Sequence, residues 1–189
     1  ISPVLANIYL HYVLDLWFER EIQPQQRGHS RMIRYADDFV VGFEYRHEAE
    51  AFERALKTRL AKFGLEVATD KTKTLRFGRN GGPHNGRFDF LGFEFSWETD
   101  RKGAPRVKRR TATKKWQAGM QRMRDWIREH RHQKLSRMLK TLKAKLRGTW
   151  NYYGLIGNYR RMKIFYEETV RTLHKWLNDD EQFIAAYRQ

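Results

Sequence analysis

Two adjacent carboxylates, Asp37 and Asp38, sit between two short apolar runs, Met32-Ile33 and Phe39-Val40-Val41-Gly42-Phe43. Both runs are rich in β-formers, which predicts a β-hairpin over residues 31–43 with the acid pair at its tip. The tip lacks the Asn-Gly or Asp-Gly pair that makes hairpin turns easy, so turn propensity does not account for two like charges there. A divalent cation would relieve their repulsion. Hard oxygen donors suit Mg²⁺, which takes one or two carboxylates and completes its shell with water and substrate phosphates. A solvated turn that happens to hold two acids is the plainer alternative, and these letters alone leave both open.

The flanking elements must hold that tip. Val4, Leu5, Ile8, Tyr9, Tyr12 and Leu16 recur at helical spacing and predict a helix over residues 3–20. Ser2 suits its N-cap and Pro3 its first position. Residues 23–30 read as a loop. A second amphipathic helix is predicted over 47–63, with Phe52, Leu56, Leu60 and Phe63 on one face and Gly64 as its stop. Residues 65–77 alternate loosely and predict a strand, and residues 80–86 predict a flexible turn. Residues 88–95 alternate aromatic with small or acidic side chains, the mark of a half-buried strand, joined by a hairpin to residues 105–108.

From residue 111 the pattern becomes helical. Trp116, Met120, Met123 and Ile127 share a face, as do Leu135, Met138, Leu139, Leu142 and Leu146, and then Tyr159, Met162, Phe165, Tyr166, Val170, Leu173 and Leu177. Three such helices can bury their apolar faces as a bundle. His130 and His132 have no cysteine or nearby acid to complete a metal set and read as surface or RNA-contacting residues.

Composition points to a polyanionic partner. Of 189 residues, 38 are Lys or Arg and 22 Asp or Glu, a net charge of +16. Residues 1–95 hold 14 against 13, and residues 96–189 hold 24 against 9, so almost all the excess lies in the second half. Basic helices interleaved with aromatics fit nucleic acid better than a merely solubilising surface. The absence of cysteine excludes disulfides and cysteine zinc sites. No apolar run approaches the roughly 20 residues of a membrane span, and no signal peptide is visible. The expected location is cytoplasmic, in a bacterium, or organellar, not secreted. The first residue is Ile1, so the chain is read as a segment of a longer protein.

The order Ser2-Pro3-Val4-Leu5-Ala6-Asn7-Ile8-Tyr9-Leu10, Tyr35-Ala36-Asp37-Asp38-Phe39, Lys71-Thr72, Phe90-Leu91-Gly92-Phe93 and Arg147-Gly148-Thr149-Trp150-Asn151-Tyr152-Tyr153 resembles the group II intron reverse transcriptases, or maturases, over nearly the whole chain. The resemblance implies an α+β fold. Residues 1–107 would be the second half of a ferredoxin-like polymerase palm. Residues 108–189 would be a mainly helical thumb and RNA-binding region. It further implies RNA-directed DNA polymerase and splicing activities, with template RNA, intron RNA, a DNA primer and dNTPs as partners, and no membrane.

Nucleotide addition needs two Mg²⁺ ions about 4 Å apart, held by carboxylates of at least two strands. By the resemblance Asp37 is the principal ligand and Asp38 a supporting one. A third Asp would come from a strand well before Ser2-Pro3, so the isolated chain is expected to be inactive. Lys71 matches a lysine near the nucleotide and would pair with phosphate or act as a general acid. The block 88–108 would grip the primer's 3′ end. Tyr35, Lys108, Arg109, Lys114, Lys115, Lys140, Lys143 and Arg147 are expected nucleic-acid contacts. Two alternatives stay open. One is a splicing cofactor that mainly binds RNA, with Trp150, Tyr152 and Tyr153 stacking on unpaired bases. The other is a reverse transcriptase domain serving a defence or CRISPR-associated system.

Overall fold

In the computed structural model, residues 2–79, 85–100 and 102–178 are described. The architecture is mixed α+β, in two compact units, residues 1–91 and 92–189.

The first unit opens with helix α1, Pro3–Leu10. The Val4 N–H donates to Ser2 Oγ at the N-cap (3.4 Å), and Pro3 takes the first position, where a missing N–H costs nothing. The helical path then passes through two wide π turns, His11–Asp15 and Phe18–Ile22, and a 3₁₀ turn, Gln23–Gln25. It therefore runs past residue 20 and takes up the start of the expected loop. The wide turns also change which face meets the core. Val4, Leu5, Ile8, Tyr9 and Tyr12, expected inside, are 43–66% exposed, while Val13, Leu14, Trp17 and Phe18 are buried. A π turn carries an extra residue, which shifts every later side chain around the axis, so the 3.6-residue period fails across it.

Strands β1, Ser30–Tyr35, and β2, Asp38–Phe43, pair antiparallel with Tyr35 opposite Asp38. The sequence-predicted hairpin is present, and its loop is two residues long. Helix α2, Arg46–Lys62, follows, with Phe52, Leu56 and Leu60 buried against the Val13–Phe18 cluster and against Met32, Phe39, Val41 and Phe43 of the hairpin. Each such burial contributes about 1.5–3 kcal/mol. Phe63, expected on the same face, is 38% exposed at the C-cap, under the Arg59 guanidinium. Gly64, at φ +66°, ends the helix. Its N–H donates to the Ala61 carbonyl and that of Leu65 to the Leu60 carbonyl, the paired bonds of a Schellman stop.

The strand expected at 65–77 is not formed. Among the described residues no strand offers it a ladder, and alternation cannot make a strand without a pairing edge. It is held instead by a local bond from the Thr72 N–H to the Ala68 carbonyl, by Thr74 Oγ1 donating to Glu53 on α2, and by the Gly86 N–H donating to the Arg76 carbonyl. Of the turn expected at 80–86, residues 80–84 lie outside the described residues. The strand expected at 88–95 is split. Leu91 and Gly92 both have positive φ, 50° and 77°, which separates β3, Phe88–Phe90, from β4, Phe93–Thr99.

In the second unit β4 pairs antiparallel with β5, Pro105–Thr111, from Phe93 opposite Thr111 to Thr99 opposite Pro105. The palm-to-thumb boundary expected at 107/108 falls within β5. Helices α3, Thr113–His130, α4, Leu135–Tyr153, and α5, Tyr159–Asn178, supply the core: Met120, Met123, Ile127, Met138, Leu142 and Phe165. Leu139, Tyr159 and Tyr166, expected in it, are 42%, 67% and 52% exposed. Each lies about 100° around its helix from a buried neighbour (Met138, Asn158 or Phe165), which takes it off a narrow packed arc. Gly119 and Gly148 occupy helix interiors, each at a cost of about 1 kcal/mol relative to Ala.

One buried side chain ties this unit together. Asn158, 1% exposed, accepts the Thr111 N–H (3.0 Å) and donates to Thr111 Oγ1 and the Tyr153 carbonyl, both at 2.7 Å. It joins the end of β5 to the end of α4 at the entry of α5. Asn158→Ala should cost about 2–4 kcal/mol, because it takes the partner from the buried Thr111 N–H and from the buried Thr111 hydroxyl together. Chemical denaturation followed by circular dichroism measures it, and a loss below 1 kcal/mol would mean water replaces the amide.

Candidate functional site

The hairpin tip is built by backbone geometry. Ala36 and Asp37 are the two loop residues, and Ala36 has φ +55°. A positive φ at the first loop position is what a type II′ turn demands, and there it normally selects glycine. For alanine it costs about 1–2 kcal/mol. Asp37 thus sits on the turn and Asp38 opens β2, both exposed. Among the described residues no cation pairs with either carboxylate.

Arg34 holds this tip from behind. It shares a strand face with Ser30 and Met32, opposite Phe39, and so points inward rather than to solvent. Its Nε and Nη2 fork onto Asp15 at 2.7 and 2.6 Å, while Nη1 donates to Asn7 Oδ1 (2.9 Å) and to the Ala36 carbonyl (2.7 Å). Asn7 is itself set by its amide, which donates to the Pro3 carbonyl (3.1 Å). One guanidinium therefore ties the Asp-bearing turn to the helix that opens with Ser2-Pro3. Burial pushes the Asp15 carboxyl up, but hydrogen bonds from Arg34 and His11 and their charges outweigh it, and the group lies below the usual carboxylate range. The bond to Asp15 raises Arg34 further above its already high value. The pair is charged at every working pH.

The other expected residues are dispersed. Tyr35 ends β1 and is 67% exposed. Lys71 lies in the unpaired 65–77 segment, its N–H on the Ala68 carbonyl, and it makes no ion pair with Asp37 or Asp38. In the second unit Lys108 and Arg110 share Glu98 at 2.7 and 2.6 Å, while Arg109 is exposed. Lys114, Lys115, Lys140, Lys143 and Arg147 are exposed, without a carboxylate partner among the described residues. The aromatic trio divides. Trp150 and Tyr152 are 44% and 54% exposed, but Tyr152 stacks on Phe93 (5.9 Å), and Tyr153 turns inward onto the same ring (5.3 Å), where burial pushes its hydroxyl up. His130 also turns inward, stacked on Trp126 at 4.7 Å.

Comparison with known families bears on this arrangement. The family described as reverse transcriptase (RNA-dependent DNA polymerase) matches residues 1–95, half of the chain and all of the first unit. The chain belongs to that family. No curated protein matches it. For a reverse transcriptase the expected partners are an RNA template, a primer and dNTPs. Such domains generally use Mg²⁺, and two exposed carboxylates free of protein cations are suitable hard donors for it. They are an incomplete set, since no group of three or more potential metal ligands occurs among the described residues.

No helix among the described residues is long and apolar enough to cross a membrane. What the sequence reading missed is the Arg34 fork. Its signal was present, since an arginine two residues before an acidic turn, at an inward-facing register, must find a carboxylate or remain unpaired.

Proposed function

We propose that this chain is the acid-pair and RNA-binding portion of a group II intron reverse transcriptase with maturase activity. The observation that carries the reading is the pairing of a reverse transcriptase unit, with an unpartnered Asp37-Asp38 tip, with a second unit of strongly basic helices. Asp37 would supply the principal Mg²⁺ ligand and Asp38 a supporting one. Bound there, the ions would activate the attacking hydroxyl and neutralise the leaving pyrophosphate. The chain's own part is to hold two carboxylates at a fixed tip. Lys71 would pair with nucleotide phosphate. Lys140, Lys143 and Arg147 would contact the RNA backbone, which gives affinity rather than sequence preference.

A second reading, a splicing cofactor that acts mainly by binding RNA, is favoured by Trp150, which stands exposed on α4 one turn beyond Arg147. Both readings require salt-dependent RNA binding. Changing Lys140, Lys143 and Arg147 together to Ala should lower the slope of log affinity against log salt by about two to three, alike for all sequences. The three are exposed, so circular dichroism should be unchanged. An unaltered slope would remove α4 from the interface. Splicing and primer extension by the natural protein carrying this chain then separate the two readings, since a pure cofactor splices without extending a primer.

A further inference from the structure

Helices α3, α4 and α5 of the second unit, with Thr111 of β5, line an open cavity of about 320 Å³. Its wall includes Trp116, Trp126 and Phe165, and it is also lined by Lys115, Arg122 and Lys145. Trp116 is fixed by its indole N–H, which donates to the Arg161 carbonyl at 3.4 Å. The Lys145 ammonium lies 5.2 Å from the centre of the Trp126 ring. None of the three cations has a carboxylate partner among the described residues. Two helix-interior glycines, Gly119 and Gly148, also line the space. Packing requires neither. A Cβ at Gly119 would make an ordinary 3.6 Å contact with Phe165, and one at Gly148 would meet no atom within 4 Å. A helix gains by replacing such glycines, and here their effect is to keep the cavity open.

Like charges beside planar aromatic walls suit a ligand with a flat ring and a phosphate. The volume lies at the small end of ligand sites, room for one nucleotide and not for a peptide segment. We infer that the cavity takes one unstacked nucleotide of a single RNA strand, its base against Trp116 and its phosphate among Lys115, Arg122 and Lys145. The inference rests on the RNA-binding reading above and narrows it to a single-strand subsite.

The test uses the full chain, an oligoribonucleotide carrying 5-iodouridine, and a duplex RNA of equal length. Gly148→Leu should fill the opening and leave the thermal midpoint equal or higher. Single-strand affinity should fall about tenfold and duplex affinity less than twofold. Photo-crosslinks in the parent should map to Trp116, Trp126 or Tyr153 and be lost in the variant. Arg122→Gln, at an exposed position, should weaken single-strand binding even if the leucine variant misfolds. Unchanged single-strand affinity and crosslinks in folded Gly148→Leu would overturn the subsite and leave general RNA binding standing. A parent chain that binds no RNA would overturn both. Displacement of the crosslink by micromolar AMP would mean a free-nucleotide pocket, and that too overturns the RNA assignment.

Discussion

Asp37→Asn in the natural protein that carries this chain should slow RNA-templated DNA synthesis by about a thousandfold or more, with RNA binding within about twofold of the parent. The substitution keeps the shape of the side chain and removes the charge. Under the proposed mechanism that charge holds the cation that stabilises the transferring phosphates, and losing about 4 kcal/mol of such stabilisation corresponds to a thousandfold. Asp37 is exposed and makes no protein ion pair among the described residues, so the variant loses no folding contact and the defect should be purely chemical. Asp38→Asn should cost less if Asp38 is the supporting donor. Primer extension under single-turnover conditions measures both. Activity of Asp37→Asn within a few-fold of the parent would remove the carboxylate pair from the mechanism.

Arg34→Ala should cost about 2–4 kcal/mol of stability, the range for deleting a largely buried, forked, charge-assisted partner. Arg34 is 12% exposed at its side chain and Asp15 20%, so solvent cannot replace the fork onto Asp15 at little cost, while the exposed bonds to Asn7 and the Ala36 carbonyl add less. Arg34→Lys should recover less than half of the loss, since an ammonium carries the charge but cannot fork onto Asp15 while also reaching Asn7 and the Ala36 carbonyl. The pH dependence has a definite sign. The native Asp15 carboxyl is held below its ordinary value, so the pair stabilises the fold above about pH 4, the unfolded carboxylate value, and this is lost as pH falls through the native value. The parent should therefore weaken in acid more steeply than Arg34→Ala, while above about pH 5 the two curves run parallel. Parallel curves down to pH 2 would mean that Asp15 titrates alike in both states.

The hairpin could be read from the sequence because its information is local. Two β-rich runs flank a two-residue loop, and Phe39, Val41 and Phe43 alternate inward as the pattern requires. The faces of α3 and α2 were also legible, since Met120, Met123, Ile127, Phe52, Leu56 and Leu60 sit on unbroken helical periods. Reading failed where a remote partner or a broken period decides. The π turns after Leu10 moved the core face onto Val13, Leu14, Trp17 and Phe18, and nothing in the composition marks a wide turn. Residues 65–77 have strand-like alternation, but among the described residues they form no ladder and accept only a bond such as that from the Gly86 N–H to the Arg76 carbonyl. Of the candidate site, the position of the acid pair at the hairpin tip was legible, and its support was not. Arg34, Asp15 and Asn7 are 8 to 27 residues apart, and only the pairing register brings them together.

The two-residue loop at Ala36-Asp37 carries a consequence for how this tip can vary. Its composition has latitude, since glycine or asparagine would satisfy the positive φ at least as well as alanine. Its length has none. One inserted residue would rotate every following side chain of β2 to the opposite face, turning Phe39, Val41 and Phe43 away from the core. It would also carry the Ala36 carbonyl off the Arg34 guanidinium. A screen that allows insertions and deletions should therefore find the loop far less forgiving of a single added codon than of almost any replacement at position 36.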